Sequence, residues 1–133
     1  MEKALLKFQE IMKAEYRSGD TDFIERQGRL LFLCFMKPII NGKGNYYVEP
    51  ETRSNSRMDV VISYGGREYI VELKIWHGKQ YREKGLEQLE GYLNSRSSNK
   101  GYLISFCFQK NKEYLQNKII LKKSRKEVFE IVV

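Results

Sequence analysis

The Gly65-Gly66 pair constrains this chain more than any other feature, because it separates two runs rich in β-branched and aromatic residues, 58–64 and 67–75. Two glycines between such runs predict a two-residue hairpin turn. That turn sets the register. With Tyr64 opposite Arg67, Val61 faces Ile70, Asp59 faces Glu72 and Arg57 faces Lys74. Directly opposed residues have Cβ atoms about 4.5–5.5 Å apart, and two carboxylates so placed repel unless something neutralises them. A divalent cation does so. The strand period of two puts Lys74 on the same face as Glu72, so one face gathers two carboxylates and an amine.

The 133 residues suit one domain, 1–133, with its core at about 20–110. At 41% hydrophobic and 31% charged the chain reads as globular rather than disordered. Its longest apolar run, 30–36, is far short of the roughly 20 residues a membrane span needs. Charges scattered over residues 2–15 leave no signal-peptide core, so a cytoplasmic location is expected. Cys34 and Cys107 have no metal-ligand spacing and read as buried thiols. The net charge of +7 comes wholly from residues 73–133, since residues 1–72 carry equal numbers of basic and acidic side chains. Such a bias suits a polyanionic partner, and it equally suits a solvated basic surface.

Along the chain, Leu5, Leu6, Phe8, Gln9, Ile11 and Met12 predict an amphipathic helix closing near Ser18-Gly19. Asp20 or Thr21 caps a second helix, whose run 30–36 is expected to be buried nearly all round and which Pro38 ends. Residues 41–44 form a turn, and 45–49 a first strand before the hairpin. Residues 80–95 return to helix, with Leu86, Leu89 and Leu93 as its apolar stripe. The continuous apolar run 101–108 predicts an interior strand, and 117–121 with 127–133 a closing hairpin. This pattern by itself gives a mixed α/β chain.

Asp59, preceded by Arg57-Met58, and Glu72-Leu73-Lys74 resemble the D…E-x-K core of the PD-(D/E)xK nuclease superfamily, with no proline directly before the aspartate. More closely, the segments 37–44, 49–53, 57–61 and 71–78 are similar to the C-terminal nuclease-like domain found behind AAA-type ATPase modules in bacterial proteins, a likeness covering roughly residues 22–112. The resemblance implies a restriction-endonuclease-like αβββαβ core, a mixed central sheet flanked by helices, with an extra N-terminal helix and C-terminal strands. It implies metal-dependent hydrolysis of DNA, with Asp59, Glu72 and the backbone carbonyl of Leu73 holding Mg²⁺ or Mn²⁺. In the same likeness Lys74 stabilises the developing charge or orients the water.

Hard oxygen ligands suit magnesium, which keeps several of its waters. The alternative for Lys74 is a structural ion pair with Glu72 or Asp59. Glu25 would be the acidic residue that many family members supply from the helix before the first strand, though Arg29 four residues on is also a helix-surface partner for it. Glu49 and Glu51 compete for that role. Gln88 and Tyr92 match the Q-x-x-x-Y signature of the exonuclease-like branch, whose members use these positions to place substrate and the lysine; the bland alternative is a core-flanking tyrosine beside a solvated glutamine. Arg57, opposite Lys74, either contacts phosphate or neutralises the carboxylates, and a purely structural ion pair is the equal alternative. His77, the single histidine, excludes a multi-histidine zinc site. With no phosphate-binding G-x-x-x-x-G-K-[ST] motif, an ATPase partner would have to be a separate module. A non-catalytic nucleic-acid-binding or protein-interaction domain of the same fold is the competing reading.

Overall fold

The computed structural model describes residues 1–15, 25–48 and 60–133. Within them the order is α1 (Glu2–Glu15), α2 (Glu25–Ile40), β1 (Gly44–Tyr47), β2 (Val60–Tyr64), β3 (Arg67–Ile75), α3 (Lys79–Ser95), β4 (Lys100–Phe106), β5 (Gln116–Ile120) and β6 (Glu127–Val132). The class is α/β. The strands form one sheet in the order β1-β2-β3-β4-β6-β5, with β3, β4 and β6 parallel and the outer pairs antiparallel.

The glycine turn sets the register as expected, with Tyr64 opposite Arg67 and Val61 opposite Ile70. Gly65 and Gly66 take φ of 59° and 74°, a left-handed conformation that glycine adopts without a Cβ penalty. Parallel strands cannot be joined by a tight turn, and α3 supplies the crossover from β3 to β4.

Strand alternation sorts the side chains onto two faces. Val60, Ile62, Val71, Leu73, Ile104, Phe106 and Ile131 pack with Leu5 and Phe8 of α1 and Phe32, Met36 and Ile40 of α2. Val61, Ile70, Leu103 and Val128 pack on the other face with Leu89, Tyr92 and Leu93 of α3. At about 1.5–3 kcal/mol for each large apolar side chain removed from water, these two cores are what holds the sheet between its helices.

Three expectations are corrected. The run 30–36 is not buried all round: Leu30 and Leu31 are 62% and 45% exposed, and Cys34 is exposed whereas Cys107 is buried. Helix α2 covers one face of the sheet, so only the stripe of Gly28, Phe32, Met36 and Ile40 is enclosed. Pro38 does not end the helix, which runs on to Ile40; a proline in the last turn forfeits one backbone bond without preventing closure, and the Asn41 N–H closes the turn on the Lys37 carbonyl. The closing hairpin forms as expected; β6 inserts beside β4 and leaves β5 at the edge, because β6 is buried from Val128 to Val132 and must be covered on both faces.

Gly28 marks the tightest contact between α2 and the sheet. A Cβ there would stand 2.5 Å from the Phe106 ring, and Phe106 is 1% exposed. Gly28→Ala is therefore expected to destabilise by up to about 2 kcal/mol net, the overpacking cost of about 1–3 kcal/mol less the about 1 kcal/mol by which alanine is ordinarily favoured in helices; urea denaturation measures the difference. Among the described residues no helix is long and apolar enough to cross a membrane.

Candidate functional site

The second half of β3 carries the site. Val71 and Leu73 turn into the α1/α2 core, so the intervening Glu72 and the following Lys74 turn to the α3 face. Glu72 is 1% exposed, and the Lys74 ammonium lies 3.2 Å from its Oε1 atom. A buried carboxylate persists as an ion only when paired, and Lys74 provides that pairing while remaining partly open to solvent.

Helix α3 shapes the lysine's seat. A Cβ at Gly85 would come within 3.1 Å of the Lys74 Cγ and 3.8 Å of its Cε, so the aliphatic stem lies along the helix where a side chain is missing. Across the sheet, Leu103 stands opposite Glu72 and Ser105 opposite Lys74. The pair sits toward the carboxyl end of β3, the end at which open α/β sheets bind ligands.

The other expected residues are distributed unevenly. Asp59, Arg57, Glu49 and Glu51 lie outside the described residues; the last described pair of the hairpin, Val60 opposite Val71, is one position before Glu72. Glu25 is the first residue of α2. Leu73 sits in the ladder opposite Ile104. Gln88 is half-buried on α3. Tyr92 is 7% exposed and packed among Val61, Ile70, Leu89 and Leu93; seven residues beyond Gly85, it stands about 10 Å further along the helix axis. The structure thus brings Glu72, Lys74 and Gly85 together and puts the Tyr92 ring into the core. His77 is exposed, its ring 4.9 Å from that of Tyr81.

Among the described residues no group of three or more His, Cys, Asp or Glu side chains is arranged to hold a metal. The Glu72 carboxylate is a hard oxygen donor of the kind magnesium takes. It fits one half of the expected ligand pair.

A second charged cluster lies two strands away, and sequence reading missed it. Glu130 of β6 is 1% exposed and is gripped by Arg82 of α3, whose Nε donates to Oε1 at 2.9 Å and whose Nη2 donates to Oε2 at 2.7 Å. Asn117 donates its amide to Oε2 at 2.9 Å, and the Ser105 hydroxyl donates to Oε1 at 3.4 Å. The Glu130 hydrogen bond raises the Arg82 pKa, against the opposing effect of burial. Its signal in the sequence was a lone charge inside Val128-Phe129-Glu130-Ile131-Val132, since an acid in a run that must be buried requires a partner. Ser105 connects the clusters, standing opposite Lys74 in register and bonded to Glu130.

Compared with protein-family models and with curated proteins, the chain matches none.

Proposed function

We propose that this protein is a metal-dependent phosphodiesterase acting on DNA, built on the restriction-endonuclease-like αβββαβ core of the PD-(D/E)xK nucleases. The observation that carries the reading is the Glu72–Lys74 pair, a buried carboxylate under a partly exposed ammonium at the carboxyl end of a central strand. The order α2, β1, β2, β3, α3, β4 in a mixed sheet supports it.

The seat of Lys74 supports the role proposed for it. Its stem is confined by Gly85 and its head by Glu72, so the ammonium is aimed before substrate arrives, and a preorganised charge loses nothing to reorganisation during reaction. There it donates to a phosphate oxygen as negative charge builds, or holds the attacking water. Asp59, Glu72 and the Leu73 carbonyl would hold Mg²⁺ or Mn²⁺, which supplies water activation and neutralises charge on the phosphate. Glu25 is the further acid of this scheme, Gln88 supports the placement of substrate and lysine, and Arg57 contacts phosphate, while Tyr92, its ring packed in the core, serves the packing of α3 on the sheet. The basic excess of residues 73–133 attracts the DNA backbone. A bacterial AAA-type ATPase module is the proposed companion.

The test is cleavage of end-labelled linear and circular DNA, single- and double-stranded, in Mg²⁺, Mn²⁺ or EDTA. Cleavage in metal and none in EDTA is the expected result. DNA affinity that persists in EDTA and falls steeply with salt, without cleavage in any condition, would replace this reading with a nucleic-acid-binding domain of the same fold; neither cleavage nor affinity would leave the protein-interaction domain.

A further inference from the structure

A cavity of about 400 Å³ opens beside the Arg82–Glu130 cluster, lined among others by Trp76, Lys79, Leu115 and Asn117. That volume is in the range of sites for small organic ligands. Its position is set by the ends of the parallel strands: the Trp76 N–H donates to the Phe106 carbonyl, the Cys107 N–H to the Val133 carbonyl and the Val133 N–H to the Ser105 carbonyl. The cavity therefore stands just past the carboxyl ends of β4 and β6, on the end of the sheet that also carries Lys74.

Its walls have three chemical parts. The first is cationic. Helix α3 begins at Lys79 with no side-chain cap and no acidic residue in its first turn, and Lys79 and Arg82 both line the space. The unsatisfied N–H groups of the helix's first turn, together with the Lys79 ammonium, favour an anionic group, the Arg82 charge being matched by Glu130. The second part is flat and apolar, formed by the Trp76 indole and Leu115, and aromatic faces stack nucleobases without needing a particular base.

The third part is a fixed donor and acceptor. Arg82 commits Nε and Nη2 to Glu130, and Asn117 commits its amide nitrogen to the same carboxylate oxygen as Nη2. Arg82 Nη1 and Asn117 Oδ1 take no part in that bonding, and both residues line the cavity. Glu130 thus acts as a clamp that holds a donor and an acceptor in place. A nucleobase edge presents the complementary pair.

We propose that this cavity binds one nucleotide, its phosphate toward Lys79 and the start of α3, its base against Trp76 and read by Arg82 and Asn117. The inference deepens the phosphodiesterase reading, on which it rests for the source of the nucleotide: one unstacked unit of the DNA strand beside the bond to be cut.

The protein contains one tryptophan and nine tyrosines, so fluorescence excited at the red edge of the indole band, where tyrosine does not absorb, reports on this cavity. The experiment titrates the full chain in EDTA with each of the four deoxynucleoside monophosphates, with the matching nucleosides and with inorganic phosphate. Saturable quenching by at least one monophosphate is expected, at least tenfold tighter than by its nucleoside or by phosphate. In Lys79→Glu that affinity should fall at least tenfold. An acid in the first turn favours the helix, so the loss would not be a loss of fold, and an unchanged thermal midpoint checks this. Trp76→Leu, followed by calorimetry, should weaken binding likewise.

Equal affinity for phosphate alone would overturn the base-reading half, and no saturable quenching by any nucleotide would overturn the whole. The readout needs neither metal nor turnover. Cleavage of DNA without nucleotide binding would sink the cavity proposal alone, whereas binding without cleavage would uphold the cavity and sink the phosphodiesterase.

Discussion

Glu72→Gln is expected to lower metal-dependent DNA cleavage by about 10²–10³-fold or more, the scale on which a preorganised electrostatic group contributes to a reaction, in a protein whose stability stays within about 1 kcal/mol of wild type, the net worth of a typical hydrogen bond. The substitution keeps the side chain's volume and an oxygen for the Lys74 ammonium, and that ammonium is partly exposed and can turn to water. It removes the charge a metal needs. Lys74→Met should also abolish cleavage, but with a loss of stability of about 3 kcal/mol, because it removes the ammonium paired with a carboxylate that is 1% exposed. The two variants separate a working site from a structural ion pair. If the pair were structural, Glu72→Gln would leave cleavage untouched. Urea denaturation and initial rates on end-labelled DNA, measured on the same preparations, decide between them.

The largest effect on stability is expected at Arg82. Arg82→Leu should cost about 3–5 kcal/mol, the penalty for removing one partner of a buried ion pair, since Glu130 would keep only Asn117 and the longer Ser105 contact. Glu130→Leu should cost less, because the Arg82 side chain is 29% exposed and its guanidinium can reach solvent. Combining the two should recover much of the loss, as apolar replacements of buried ion pairs often do. A double-mutant cycle by urea denaturation measures the coupling. Additive losses would show that the cluster's bonds contribute independently and that the stranded carboxylate is not the source of the cost.

The hairpin was legible because its register is dictated locally: two glycines allow one tight turn, and every pair after it follows by counting. The helix over 79–95 and the interior strand at 100–106 were legible because apolar spacing is a property of each segment alone. What failed was anything decided by a neighbour. The chain cannot announce that α2 has the sheet on one side only, and Leu30 and Leu31 therefore read as core. The placement of β6 between β4 and β5 depends on a pairing 20 to 30 residues distant. For the site, the Glu72–Lys74 adjacency came from strand period, whereas Gly85, which seats the lysine, sits on a helix whose rotation over the sheet is set by packing. Glu130 was visible as an anomaly, and its partner Arg82, 48 residues away, was not.

Gln9 has a consequence for the order in which the chain folds. Its buried side chain donates to the Leu115 and Val132 carbonyls and accepts from Gln116, joining α1 to strands more than 100 residues away. Contacts of such separation form only after the entropy of closing a very long loop has been met, whereas the hairpin of β2 and β3 closes over two residues. The Gln9 bonds are therefore expected to form after the folding barrier. Gln9→Ala should then hasten unfolding and leave the folding rate nearly unchanged in stopped-flow kinetics, a result that would place control of the native state's lifetime where α1 meets β6.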